Sequence, residues 1–119
     1  MVLLLLLSAA PLVAPAYAGV DASKVEYYEP LSSITLISLS STTSGTGTIV
    51  SAVFSNSSSQ NQNIYYRIVW LDASGNPIAT GEPWTMTAVN GTSERSVSLS
   101  INNPSVSNYR IQVSLGRNF

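Results

Sequence analysis

The stretch Ile64-Tyr65-Tyr66-Arg67-Ile68-Val69-Trp70-Leu71-Asp72-Ala73-Ser74-Gly75-Asn76-Pro77 joins the longest aromatic and β-branched run of the chain to its clearest turn. Side chains alternate along an extended backbone, so Ile64, Tyr66, Ile68 and Trp70 share one face of a strand and Tyr65, Arg67, Val69 and Leu71 the other. The first face reads as core, with Trp70 at its centre. Asp72 to Pro77 is rich in turn formers: Asp and Asn bond back to local backbone, Gly accepts positive φ, and Pro stops the strand.

Working outward, Thr48 to Ser55 reads as a strand with Val50, Ala52 and Phe54 on one face, and Asn56 to Asn63 turns it into the central run. Before it, Ile34, Leu36 and Leu39 mark a first strand from Ser33, and Ser40 to Gly47 reads as a flexible loop without the lysine or helix of a phosphate cradle. After the turn, Ile78-Ala79-Thr80 reads as a short strand broken by Gly81-Glu82-Pro83, since proline cannot donate to a ladder. Trp84, Met86 and Ala88 alternate next, Asn90-Gly91 predicts a two-residue hairpin, and Val97, Leu99 and Ile101 form its second arm. Tyr109, Ile111, Val113 and Leu115 form the last strand, opposite Arg110, Gln112 and Ser114. About seven short strands at spacings near ~8–12 residues, with no helical apolar period after position 20, predict an all-β fold, an immunoglobulin-like antiparallel β-sandwich.

Composition narrows the function. The chain has 119 residues, no Cys or His, 9% charged residues and a net charge of −1, with 21 Ser and 9 Thr in place of the missing charges. A hydrophobic fraction of 45% argues against disorder. Near-zero charge removes the electrostatic term that drives binding to nucleic acid or anionic lipid.

Val2 to Leu7 is an unbroken apolar run, followed by small residues that end in Ala16-Tyr17-Ala18. This pattern predicts a signal peptide over residues 1–18, cleaved before Gly19. Pro11 and Pro15 argue against a transmembrane anchor. No basic residue precedes the apolar run, which points either to a start upstream of Met1 or to an unusual start. Without cysteine no lipid anchor is expected. A polar arm follows over residues 19–31, with Asp21, Lys24, Glu26, Glu29, Tyr27 and Tyr28, and the sandwich occupies residues 32–119. The expected location is the periplasm or the cell exterior.

The inventory excludes most catalysis. Without His or Cys there is no usual serine triad, no cysteine nucleophile and no soft-ligand zinc site. A Ser–Lys dyad would need Lys24, which lies in the arm. The carboxylate pairs Glu26 with Glu29 and Asp72 with Glu82 have bland readings, as arm residues and as a turn cap. No calcium loop is visible. The chain is therefore read as a non-enzyme, with no cofactor and no small-molecule ligand expected. Asn56-Ser57-Ser58 and Asn90-Gly91-Thr92 match glycosylation sequons.

Tyr66-Arg67-Ile68-Val69-Trp70-Leu71-Asp72-Ala73-Ser74-Gly75 resembles the Tyr-Arg-Phe-x-Trp-aromatic-Asp-x-x-Gly signature of the YcfL-type proteins of Gram-negative bacteria, small envelope proteins of undefined function. Asn56, Pro83-Trp84, Asn103-Pro104 and Tyr109-Arg110-Ile111 extend the resemblance over residues 48 to 115. It implies an immunoglobulin-like fold and no catalytic residues. Members look like lipoproteins, whereas this chain lacks the lipidated cysteine and has Leu71 where an aromatic is common.

Two functions are open: an envelope module for protein contact, assembly or self-association, or a binder of cell-wall sugar. The second needs exposed Trp84 and Tyr27. For the first, Tyr65, Val69 and Leu71 around Arg67 form a candidate contact site, because the outer face of a sandwich sheet is ordinarily polar. Alternatively the arm folds over them, with Tyr27 and Tyr28 as cover.

Overall fold

In the computed structural model, which describes residues 20–28 and 33–116, the central run forms an extended strand whose Ile64, Tyr66, Ile68 and Trp70 are all buried, Trp70 completely. Numbered in chain order, the strands are β1 (Val25–Tyr27), β2 (Ile34–Ser44), β3 (Gly47–Asn56), β4 (Gln62–Leu71), β5 (Thr85–Val89), β6 (Glu94–Asn102) and β7 (Asn108–Ser114). They build two sheets, ordered β1-β7-β4-β5 and β2-β3-β6. Every pair is antiparallel except β1 with β7, which is parallel. The fold is the expected all-β sandwich. The signal-peptide reading falls on residues outside those described.

The core lies between the sheets. Trp70, Ile64, Ile68, Ile111, Val89 and Val113 face it from the four-stranded sheet, and Phe54, Leu36 and Val50 from the other. The Phe54 and Tyr66 rings meet across it at 6.4 Å. Leu36 and Leu39 both point inward because the β2–β3 register shifts between Leu36 and Ser38. A bulge of this kind adds one residue and restores the inward parity.

Several sequence expectations are corrected. The arm is not merely a lead-in: Val25 and Tyr27 are buried, and β1 pairs Val25 with Ile111 and Tyr27 with Val113. Ser40 to Gly47 is no loop, because β2 continues to Ser44 and turns at Gly45 (φ 61°) and Thr46. Residues 40–44 are exposed whichever way they point, so no apolar alternation betrays the strand. Residues 78–80 form no strand; near them the only pairing is the single bridge of Pro77 to Leu71. In β5 the parity is opposite to that of Trp84, Met86 and Ala88: Thr87 and Val89 are buried because they pair with Ile64 and Gln62.

The largest correction concerns Asn90-Gly91. It is not a hairpin turn, since β5 and β6 lie in different sheets and the segment carries the chain across the sandwich. Gly91 is needed for a close approach: a Cβ there would lie 2.4 Å from the Ser59 carbonyl oxygen. Its amide donates to Asn61 Oδ1 (2.9 Å), and the Thr92 amide donates to the Ser58 carbonyl (2.8 Å). Thr92, not Gly91, takes the positive φ of 52°. Asn56 closes this junction. Its Nδ2 donates to the Gln60 and Val89 carbonyls (2.7 and 3.0 Å), and its Oδ1 accepts from the Ser58 amide (2.9 Å). At 1% exposure, with both amide hydrogens used, Asn56 cannot serve as a glycosylation acceptor in the folded protein.

The Asp72 turn matches its sequence chemistry. Asp72 Oδ1 accepts from the Ser74 and Asn76 amides, each at 2.9 Å, and Gly75 adopts φ 83°.

Candidate functional site

The outward positions of the four-stranded sheet form two adjacent rows. Register places Glu26 beside Gln112 and Gln112 beside Arg67, and Trp84, the residue before β5, lies against Arg67. The second row runs from Ser114 to Tyr65 to Met86. Neighbouring strands are about 4.8 Å apart, so side chains in each row touch.

Gln112 ties the first row together. Arg67 Nε and Nη2 donate to Gln112 Oε1 (2.9 and 2.8 Å), while Gln112 Nε2 donates to Glu26 Oε1 (2.8 Å) and to the Tyr28 hydroxyl (3.0 Å). These bonds use both amide hydrogens and saturate the carbonyl oxygen, which explains how an outward-facing glutamine is only 6% exposed. The other Glu26 oxygen lies 3.8 Å from Arg110 Nε. Arg67 is also stacked, its guanidinium carbon 4.7 Å from the Trp84 ring centre. The Tyr28 ring meets Trp84 edge-on at 5.4 Å and 80°. Two anchors thus hold the Arg67 head rigidly, while Tyr28 (42% exposed) and Met86 (54%) stand open to solvent beside it.

A shallow groove adjoins the cluster. β5 pairs with β4 only from Gln62 to Tyr66, so the same side of Arg67 and Val69 faces residues 78–82 instead of a strand. Glu82 turns back to the core, its Oε2 accepting from Trp70 Nε1 at 3.4 Å.

Of the residues singled out by sequence, Tyr65, Arg67 and Val69 are together and half-buried on this face. Leu71 is not part of it. It is 6% exposed, because the Asp72 turn folds back to bridge Pro77 to it and the Ser107 amide bonds its carbonyl (2.8 Å). Trp84, Met86, Glu26, Arg110 and Gln112 belong to the face and were not assigned to it from sequence, whereas Tyr28 lies on it as the arm-cover alternative has it. Tyr27, named with it as cover, is not on the face: Val25-Glu26-Tyr27-Tyr28 alternates, so Tyr27 and Tyr28 point opposite ways. Tyr27 is buried and Trp84 is half-covered by Arg67 and Tyr28, which removes the pair of open aromatic platforms that sugar binding would have used. The carboxylates singled out by sequence have structural partners where they are described. Asp72 caps its turn, Glu26 is engaged by Gln112 and Arg110, Glu82 meets Trp70, and Glu29 lies outside the described residues. Lys24 ends a short 3-10 turn, donates to Asn108 Oδ1 and lies 4.9 Å from the Tyr109 ring centre.

A family model described as a protein of unknown function, DUF1425, matches residues 23–115. The chain belongs to the DUF1425 family. The match spans both sheets, from the 3-10 turn before β1 to the end of β7, so the DUF1425 unit includes the N-terminal strand. Among solved structures, a DUF1425 family member from Shewanella sp. pv-4 is similar with a TM-score of 0.62 and 15% identity, over 67% of this chain and 75% of that one. Campylobacter jejuni cj0090 is similar with a TM-score of 0.67 and 12% identity, over 78% of this chain and 98% of its own. At these identities the likeness is one of fold. The curated proteins gave no match.

Proposed function

We propose that this DUF1425 protein is an exported, non-catalytic β-sandwich module of the YcfL type that meets another protein of the bacterial envelope through the outer face of its four-stranded sheet. The observation that carries this reading is the grouping of Tyr28 and Met86 around the Arg67–Trp84 stack. Among the described residues three large hydrophobic side chains are exposed, and two of them flank this one arginine. Tyr, Trp and Arg are the side chains enriched at binding hot spots, and an arginine already fixed by two partners loses little entropy on docking. Export rests on the apolar leader of residues 1–18 with its Ala16-x-Ala18 end.

The test is site-specific photo-crosslinking from position 86 in the producing cell, repeated with Arg67→Glu. The wild-type face is expected to yield a defined adduct with an envelope protein. Arg67→Glu is expected to lose that adduct while keeping its far-ultraviolet circular dichroism and a cooperative melt. An undiminished adduct in that variant rejects the role given to Arg67, and no adduct from position 86 rejects the face as the contact site. N-terminal sequencing of the exported protein is expected to begin at Gly19.

A further inference from the structure

The three-stranded sheet ends in β2, the longest strand, which pairs with β3 on one side and with no strand on the other among the described residues. An unpaired strand edge offers a row of N–H and C=O groups to any extended chain, and proteins normally blunt such edges with charge, proline, a bulge or shortness. The other edges here are blunted. β1 has three residues, β5 has five and follows Pro83, and β6 opens with Glu94 and Arg95. β2 has 11 residues with no proline and no charge, and its bulge lies near the start, between Leu36 and Ser38. Among the described residues Ser38 to Ser44 is therefore an open backbone rail.

Its side chains suit close pairing. Residues 40–44 are all Ser or Thr and all exposed, so an added strand meets no bulky group. Ile49, the third exposed large hydrophobic at 50%, sits in β3 directly beside Thr42, one strand in from the rail.

The geometry points to Ser38–Ser44 as the edge where a second copy of this chain adds its own β2 antiparallel, fusing two three-stranded sheets into one. Charge decides for a second copy. A two-fold interface sets each patch against itself, so a charged residue near the axis meets its own sign. The charges within the three-stranded sheet are Glu94 and Arg95, two strands away on β6, and the net charge of −1 gives copies little reason to repel. The pairing also brings Ile49 of each copy toward the seam. So short a rail buries less than the ~1,200–2,000 Å² of a stable interface, and the association is weak and reversible.

Sedimentation equilibrium of the purified full chain tests this between about 10 µM and about 1 mM, the range of weak self-association. The average mass is expected to climb from one copy toward two across that range. Thr42→Lys, at an exposed position, is expected to keep the wild-type melting temperature and remain at one copy throughout, as is Thr42→Glu. An equimolar mixture of these two variants is expected to regain the wild-type rise, because opposite charges now face each other. A wild-type chain that stays at one copy overturns the proposal, as does Thr42→Lys associating like wild type or a mixture that recovers nothing. So does a rail that ignores its own copy but binds an added neutral extended peptide.

Discussion

Asn56→Ala probes the junction where the chain changes sheets. The side chain is 1% exposed and serves three places at once: the Gln60 carbonyl, the Val89 carbonyl and the Ser58 amide. Each hydrogen bond contributes about 1 kcal/mol net, and a partner left buried without one costs about 1–3 kcal/mol. Gln60 is exposed and Ser58 half-buried, so water can serve them, whereas the bond to Val89 is buried and its carbonyl is orphaned. The expected loss is about 2–4 kcal/mol, which at a urea slope of about 1.5 kcal/mol/M moves the midpoint down by about 1.3–2.7 M. Urea titration followed by tryptophan fluorescence reads this directly. Asn56→Asp sharpens the test. The introduced carboxyl keeps the acceptor toward Ser58 but turns an oxygen on two carbonyls, so its folded pKa lies above the unfolded value. A raised pKa makes the neutral form the tolerated one, and the variant's deficit is expected to shrink as pH falls through that folded value. Asn90→Ala, at an exposed position, is the control and should stay within about 0.5 kcal/mol of wild type. An Asn56→Ala midpoint within about 0.5 M of wild type, or an Asn56→Asp protein equally stable at neutral pH, would refute the junction as described.

Trp70→Ala empties a fully buried site and is expected to cost about 3–5 kcal/mol, while Trp84→Ala, on the half-buried outer face, should stay within about 1 kcal/mol; thermal melts of the two variants compare them. Gly91→Ala is expected to cost about 1–3 kcal/mol, because its Cβ meets the Ser59 backbone rather than a side chain that could move; a wild-type urea midpoint would contradict that contact. Burial raises the phenol pKa of Tyr66 above its usual 10.0, partly offset by the Arg95 charge, and raises that of Tyr109, with the Ser41 hydrogen bond opposing and the Asp21 charge adding to the rise. A folded pKa above the unfolded one stabilises fully below the unfolded pKa and is lost as pH rises through the folded value, so melting temperature should fall above about pH 10. Tyr66→Phe should flatten part of that fall.

The legible parts of the fold are those where one face is buried and the period is short. Ile64 to Trp70 and Val50 to Phe54 alternate because inward positions exclude water and outward ones do so less, and each lies as read; Tyr109 to Val113 also points inward as read, although the outward Gln112 and Ser114 of that strand are buried too. The Asp72 turn was equally legible, since its hydrogen bonds are local. The far half of β2 was not: with both faces in water, strand and loop carry the same Ser and Thr. β5 misled because Trp84, Met86 and Ala88 are the more apolar parity, yet its partner residues Gln62 and Ile64 set which side faces the core.

The contact face divides in the same way. Tyr65, Arg67 and Val69 share a strand, so their common side follows from alternation alone. Glu26, Tyr28, Trp84 and Gln112 reach Arg67 from three other chain segments, and no local pattern encodes which strands become neighbours. Leu71 has the right parity and still leaves the face, because the turn and the loop before β7 close over it. By itself the sequence determined the strands with one wet face, the turn after Leu71 and the side on which Trp70 lies, since those depend on residues within a few positions of one another. Only the tertiary structure decided that Asn90-Gly91 crosses between sheets instead of closing a hairpin. A hairpin and a crossover use the same turn-forming residues, and the choice rests on contacts with Asn56, Ser58 and Asn61, some thirty residues away, which burial and hydrogen bonding stabilise only once both sheets are in place.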